Sequence, residues 1–330
     1  MRSQRLEHAL STSALALPTN GRIAVFRPRA GDDLSALPRD RVQVATGFRP
    51  DFDWFAAAGL DVRRLPEGAF ATALVCLPRS RAHARDLIAR AAALVGPAGQ
   101  VWVDGQKTDG AESLFRELRD AGLAPTVPVA KAHGKLFGFR PAADLSAWIA
   151  RPTRNADGFL TLPGVFSADA ADAGSAQLAG ALPDSLPATV ADLGASWGYL
   201  SRAALRREGV RELHLVEAEA DALDCARRNV EDPRARFHWA DATRFTPERR
   251  FDAVLCNPPF HTGRRADPQL GLDFLRAAAA MLMPSGTLWL VANRHLPYVS
   301  PLAELFRSVE EIGGDSRFRL IRASYPQRKT

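Results

Sequence analysis

Apolar and polar residues along the chain fall into blocks of two lengths. Short apolar runs of strand length end in turn residues, and Ala/Leu-rich stretches of helical length follow them. Residues 71–107, ATALVCLPRSRAHARDLIARAAALVGPAGQVWVDGQK, show the sequence clearly. An apolar run ends in Cys76, a Pro-containing loop follows, then a helix, then Pro97, Gly99 and a strand with Trp102. Residues 251–294, FDAVLCNPPFHTGRRADPQLGLDFLRAAAAMLMPSGTLWLVANR, repeat the order with Cys256, Pro284, Gly286 and Trp289. Each half closes with a basic strand, HGKLFGFRP at 133–141 and DSRFRLIRA at 315–323. The pattern predicts an internal duplication of a strand–helix–strand unit, with mostly parallel, doubly wound sheets covered by helices on both faces. With 330 residues two α/β domains are expected, 1–150 and 151–330, with the linker at about 141–160, around RPTRNADG.

The halves differ where chemistry would sit. In TVADLGASWGYLSRAAL, 189–205, an apolar strand leads to Asp192 and a turn carrying Gly194, Ser196 and Gly198, then a helix. Small residues there let a ligand approach the backbone. The acid two positions before the first glycine departs from a dinucleotide fingerprint and suits a ligand bearing an ammonium group, such as the methionine end of S-adenosylmethionine (AdoMet). The next strand ends at Glu217, placed to accept ribose hydroxyls, and the third delivers Asp241, placed to accept from an adenine amine. Acids at such positions also cap helices; three in succession beside a glycine turn favour a ligand crevice. The first half has no such turn, VQVATGFRP at 42–50 being the nearest approach, so it reads as the degenerate copy.

The fourth strand of the second half runs into Asn257, Pro258, Pro259 and Phe260. The prolines stiffen the loop and leave carbonyls free. The Asn257 amide oxygen and the Pro258 carbonyl offer two acceptors for one exocyclic NH2, and Phe260 offers a ring to stack on the plane that carries it. His261 is adjacent, and a loop-packing role outweighs one as base. No metal site is expected.

Together these residues resemble class I AdoMet-dependent methyltransferases acting on an exocyclic nitrogen. TLPGVFSADAADAGSAQLAGAL at 161–182, the His after NPPF and the closing RFRLIRA narrow the resemblance to the ribosomal RNA guanine-N2 methyltransferases of the small-subunit type. That resemblance implies two tandem Rossmann-like methyltransferase domains, the first degenerate and serving RNA recruitment, the second catalytic. It implies Asp192, Gly194, Ser196 and Gly198 at the methionine end of AdoMet, Glu217 at its ribose, Asp241 at its adenine, and Asn257, Pro258 and Phe260 on the target base. Ser196 replaces the family's middle glycine. The same loop would serve a large-subunit guanine, an adenine N6 or a release-factor glutamine; a non-catalytic assembly protein is the alternative of another class.

Charge adds a partner. Net charge is +6, and 39 of 43 cations are Arg, the side chain whose planar fork fits phosphate. Residues 1–150 carry +5 and residues 151–330 carry +1. Arg79, Arg81 and Arg85 beside the first half's loop, with Pro259, His261, Arg264 and Arg265 beside the second's, are the candidate contacts to ribosomal RNA or the small ribosomal subunit. Three scattered cysteines without a CxxC pair suggest a reducing, cytoplasmic setting. No run is long enough to span a membrane, ALSTSALALP at 9–18 reads as an ordinary N-terminus, and a monomer is expected.

Overall fold

Apolar runs with no polar alternation bury both faces of a strand, and such strands form the centre of a parallel sheet. In the computed structural model, which describes residues 2–327 except 260, 263, 264 and 267, this happens twice. For residues 261, 262, 265, 266 and 268 it describes the backbone only. The chain divides into Met1–Arg151 and Pro152–Thr330.

The first unit contains α1 (Arg2–Ser11), β1 (Ile23–Phe26), β2 (Val42–Ala45), α2 (Arg49–Ala57), β3 (Asp61–Arg63), β4 (Thr72–Cys76), α3 (Arg81–Val95), β5 (Gln100–Gln106), α4 (Ala111–Asp120), β6 (Val129–Lys131) and β7 (Gly134–Phe139). The sheet order is β3-β2-β1-β4-β5-β7-β6. Strands β1 to β5 pair parallel, and β7 pairs antiparallel with both β5 and β6.

The second unit begins with the short pair β8 (Thr153–Arg154) and β9 (Leu160–Thr161). Then come α5 (Ala173–Ala181), β10 (Thr189–Leu193), α6 (Tyr199–Leu205), β11 (Glu212–Glu217), α7 (Ala220–Asn229), β12 (Ala235–Trp239) and β13 (Phe251–Cys256). A second short pair, β14 (His261–Thr262) and β15 (Arg265–Ala266), precedes α8 (Pro268–Met281), β16 (Leu282–Asn293), α9 (Val299–Leu305), β17 (Phe306–Gly314) and β18 (Phe318–Pro326). The sheet order, β12-β11-β10-β13-β16-β18-β17, repeats the first unit strand for strand. The closing basic strands β7 and β18 run antiparallel to the rest, so each sheet is mostly, not wholly, parallel.

Each sheet has a core on both faces because successive side chains point to opposite sides. In the second unit Ala191, Leu193, Val254, Cys256, Leu288 and Leu290 pack with α8 and α9 residues on one face. Their neighbours Val190, Ala253, Leu255, Trp289 and Val291 pack with α5, α6 and α7 residues on the other.

The first unit buries a charged cluster at the carboxyl end of its sheet. Asp104 of β5 lies beside Cys76 in register. Arg5 of α1, fully buried, grips both carboxylate oxygens of Asp104, at 2.6 and 3.0 Å, and donates to the carbonyls of Lys131 and Ala132. Arg2 adds a contact to Asp104 at 3.3 Å and one to Asp32 at 3.1 Å. Burial pushes the Cys76 thiol up to about 12, so it is inert. Removing one member of a buried ion pair strands the other charge. Asp104→Ala is therefore expected to destabilise the first unit by about 3–5 kcal/mol, read as a shift of its unfolding transition in urea.

Candidate functional site

Strand order changes direction at β10, which pairs with β11 on one side and β13 on the other. In such sheets the carboxyl ends of the strands at the switch open a crevice. Leu193 is in register with Val216 and with Cys256. One residue further along, Gly194, Glu217 and Asn257 therefore stand at one level, and Glu217 is in register with Trp239 of β12. Three of the site residues expected from the sequence thus share one rim. Asp241 lies two positions beyond Trp239, where its Oδ1 accepts from the backbone N–H and hydroxyl of Thr243 at 2.9 and 2.7 Å.

The glycine turn folds over the end of β11. The N–H groups of Gly194 and Ala195 donate to the Val216 carbonyl, and that of Ser196 donates to Glu217 Oε2 at 2.7 Å. The other oxygen, Glu217 Oε1, accepts from the Glu219 N–H at 2.7 Å. Ser196 has φ 48°, the left-handed region where a Cβ is strained. Its hydroxyl oxygen is buried and has no partner among the described residues. Gly198, at φ 93°, starts α6, and a Cβ there would lie 2.8 Å from Val230 Cγ2, so this position needs glycine. Trp197, the bulky neighbour, turns out of the crevice. It is buried against Phe159 and Val165, and its indole N–H donates to the Phe166 carbonyl at 2.8 Å. Asn229 ties the same layers, donating to the carbonyls of Leu160 and Trp197.

Asp192 sits one residue inside the end of β10 and is buried. Its Oδ2 accepts from the Ser201 hydroxyl of α6 at 2.6 Å, while Oδ1 is buried with no partner among the described residues. Burial pushes its carboxyl up to about 6, against the opposing hydrogen bonds from Ser201. Burial also pushes Glu217 up to about 7, opposed by the backbone N–H groups of Glu219 and Ser196. Carboxyls with raised values near the ends of adjacent strands are candidates for a functional site.

The Asn257 carboxamide is held from behind. Its Nδ2 donates to Asp172 Oδ2 at 2.9 Å and to Ser175 Oγ at 2.8 Å. Among the described residues none donates to its Oδ1. Pro258 is buried and Pro259 exposed. Phe260 and Arg264 lie outside the described residues, as do the side chains of His261 and Arg265.

Among the described residues the first unit offers no matching site. Leu77 follows β4 where Asn257 follows β13, and it is buried. Of the arginines beside that loop, Arg81 and Arg85 share Glu117 at 2.7 and 2.6 Å, and Arg85 also lies over the Trp148 ring. Arg79 is exposed and has no ion pair among the described residues. A cavity of about 780 Å³ in the second unit is lined by Thr189, Glu212, His214, His238 and Phe251. Thr189, Glu212 and Phe251 open their strands, at the end opposite the crevice. Asp172, Ser175 and Asn229 carry no motif of their own in the sequence; the segment 161–182 was the sole signal for the first two.

A carboxyl raised in the folded chain keeps its proton over a pH range where the unfolded chain has lost it, so stability falls as pH rises through that range. For Glu217 the range runs from its ordinary value of 4.5 to about 7. The melting temperature of the ligand-free protein is expected to drop across this interval. Glu217→Gln should make the drop shallower in thermal scans at a series of pH values.

The profile of the methyltransferase small domain family matches residues 157–322. The ribosomal RNA small subunit methyltransferase C of Pseudomonas aeruginosa is 34% identical over 293 residues, 82% of this chain and 87% of that protein. The protein of the same name from Alteromonas mediterranea is 29% identical over 261 residues, 76% of this chain and 72% of that protein. Among solved structures, the T. thermophilus 16S rRNA N2 G1207 methyltransferase in complex with AdoMet and guanosine aligns at a TM-score of 0.80 and 25% identity, covering 98% of this chain and 91% of that one. With strand order, crevice and sequence in agreement, the chain belongs to the methyltransferase small domain family, and within it to the ribosomal RNA small subunit methyltransferases C.

Proposed function

We propose that this protein transfers the methyl group of AdoMet to the exocyclic N2 amine of a guanine in small-subunit ribosomal RNA. The observation that carries the reading is the shared level of Gly194, Glu217 and Asn257 at the ends of three adjacent parallel strands. It sets an anion-rich rim beside a carboxamide within one crevice.

The residues present fit AdoMet. Glu217 offers oxygens to ribose hydroxyls, each oxygen having so far one backbone donor. Asp192 Oδ1 and Ser196 Oγ, buried polar atoms with no partner among the described residues, face the methionine end. Asp241 stands beyond β12 for the adenine amine. AdoMet, when bound, supplies a methyl group on a positively charged sulfur, already strongly electrophilic.

The guanine amine is a poor nucleophile because its lone pair is delocalised into the ring. Asn257 Oδ1 and the Pro258 carbonyl accept its two hydrogens, which localises the lone pair toward the methyl group, and Phe260 stacks on the ring. Positioning of this kind supplies several kcal/mol of barrier lowering. No strong base is needed, since the amine becomes acidic once methylated and its proton leaves afterward. The target edge must be unpaired or extruded to enter. The first unit, with net charge +5 over residues 1–150 and exposed Arg79, holds the RNA backbone, and the protein works as a monomer.

Asn257→Ala is expected to reduce transfer by at least about 100-fold while AdoMet binding measured by titration calorimetry stays near wild type. Unchanged turnover would remove Asn257 from the mechanism. Tritium transferred from labelled AdoMet to RNA of a deletion strain should be recovered as N2-methylguanosine in the small-subunit RNA. Recovery in the large-subunit RNA, or as methyladenosine, would reassign the substrate. Arg79→Glu should weaken RNA binding several-fold and lower its salt dependence by about one to two charges' worth, with AdoMet binding unaffected.

A further inference from the structure

We propose that Asp172 and Ser175 are positioning residues that lock the Asn257 carboxamide with its oxygen toward the target amine, an inference that rests on the role given above to Asn257. A carboxamide can turn by 180° and exchange a donor for an acceptor. At the mouth of the crevice that exchange would be fatal to catalysis, because an NH2 group would face the NH2 group of the base. Both N–H bonds of Asn257 Nδ2 are used here, one on Asp172 Oδ2 and one on Ser175 Oγ.

The two partners do unequal work. A hydroxyl rotates to donate or accept, so Ser175 is compatible with either orientation. An ionised carboxylate only accepts, and turning Asn257 around would set its oxygen against that of Asp172. Asp172 therefore selects the orientation and Ser175 consolidates it. The bond to a carboxylate is also charge-assisted. It draws the amide's protons toward Asp172 and leaves more electron density on Oδ1, where the amine's hydrogen arrives.

The carboxylate itself is fixed by the fold. Asp172 is the N-cap of α5, and its Oδ2 accepts from the Ser175 N–H at 2.9 Å. Ser175 is buried. Gly174 stands between them, and a Cβ there would lie 3.0 Å from Asp172 Oδ2 and 3.0 Å from Phe318 Cε1. The run Asp172–Ser175 is thus a cap, a clearance and a second acceptor in four residues, aimed at a side chain more than eighty positions away.

Asp172→Asn separates this role from a structural one, because Asn caps a helix as well as Asp does but can offer Asn257 either a donor or an acceptor. Expected are a fall in kcat of about 100-fold, KM for RNA and Kd for AdoMet within about threefold, and an unchanged melting temperature. Ser175→Ala should cost about fivefold in kcat. A readout independent of turnover is the side-chain NH2 signal of Asn257 in proton–nitrogen NMR, identified by its loss in Asn257→Ala. In the wild-type protein both protons should exchange slowly with solvent, and in Asp172→Asn that protection should be lost. The proposal is overturned if Asp172→Asn keeps more than half the wild-type kcat, if its losses in kcat and AdoMet affinity are equal, or if the wild-type NH2 protons exchange freely. Should wild-type protein methylate no guanine at all, the functional reading fails, while the exchange measurement still decides whether Asp172 orients the amide.

Discussion

Parallel pairing of β10 with β11 and β13 is the constraint on which the site depends. The strands are buried on both faces, so a slip of one residue would turn each core side chain toward the wrong layer. Burial thereby fixes register, and register fixes which residues emerge together at the carboxyl ends. Leu193, Val216 and Cys256 align inside the sheet, so the residues that follow them must align outside it. The crevice inherits a precision that its loops could not supply alone.

The two units apply one frame to different ends. In each, a helix precedes the first strand and packs along the antiparallel edge, α1 beside β6 and β7, α5 beside β16, β17 and β18. In the second unit the start of that helix brings Asp172 and Ser175 to Asn257. In the first, the corresponding helix brings Arg2 and Arg5 to Asp104. A polar contact that orients an amide in one unit is an ion pair that seals the sheet end in the other. With Leu77 buried where Asn257 stands, the first unit carries a packed apolar side chain at the position where the second carries a carboxamide. A stable scaffold tolerates such exchange because its sheet core does not depend on what lies at the strand ends.

The second unit bears the cost of a site kept ready. Burial raises the Asp192 and Glu217 carboxyls above their ordinary values, and Ser196 takes a backbone conformation that suits glycine better. The 2.7 Å bond from the Ser196 N–H to Glu217 offsets part of both, since it stabilises the ionised acid and the turn together. Trp197 compensates from the other side. Its burial with Phe159 and Val165 clamps the chain leading into β10 onto the far wall of the turn. Strain at Ser196 and packing at Trp197 are two faces of one turn.

The fold was legible in the sequence because hydrophobic periodicity and the repeated Cys, Pro-x-Gly and Trp signals are local and survive in both halves. The rim residues Gly194, Glu217 and Asn257 were legible for a related reason: each follows a strand whose end the apolar run marks. What the tertiary structure alone decided are relations between distant side chains. Asp192 reads as an open strand-end acid, yet it is buried against Ser201, because the rim at β10 begins with Gly194, two positions further on. Trp197 follows the glycine turn in sequence, yet it packs into a hydrophobic cluster with Phe159, Val165, Ala222 and Cys225. Asp172 and Ser175 lie in a segment that gives no sign of its target, since the direction of a hydrogen bond across more than eighty residues is set only when helix and strand are packed. Sequence period determines which face and which end a residue occupies; which atom it meets there is fixed by packing.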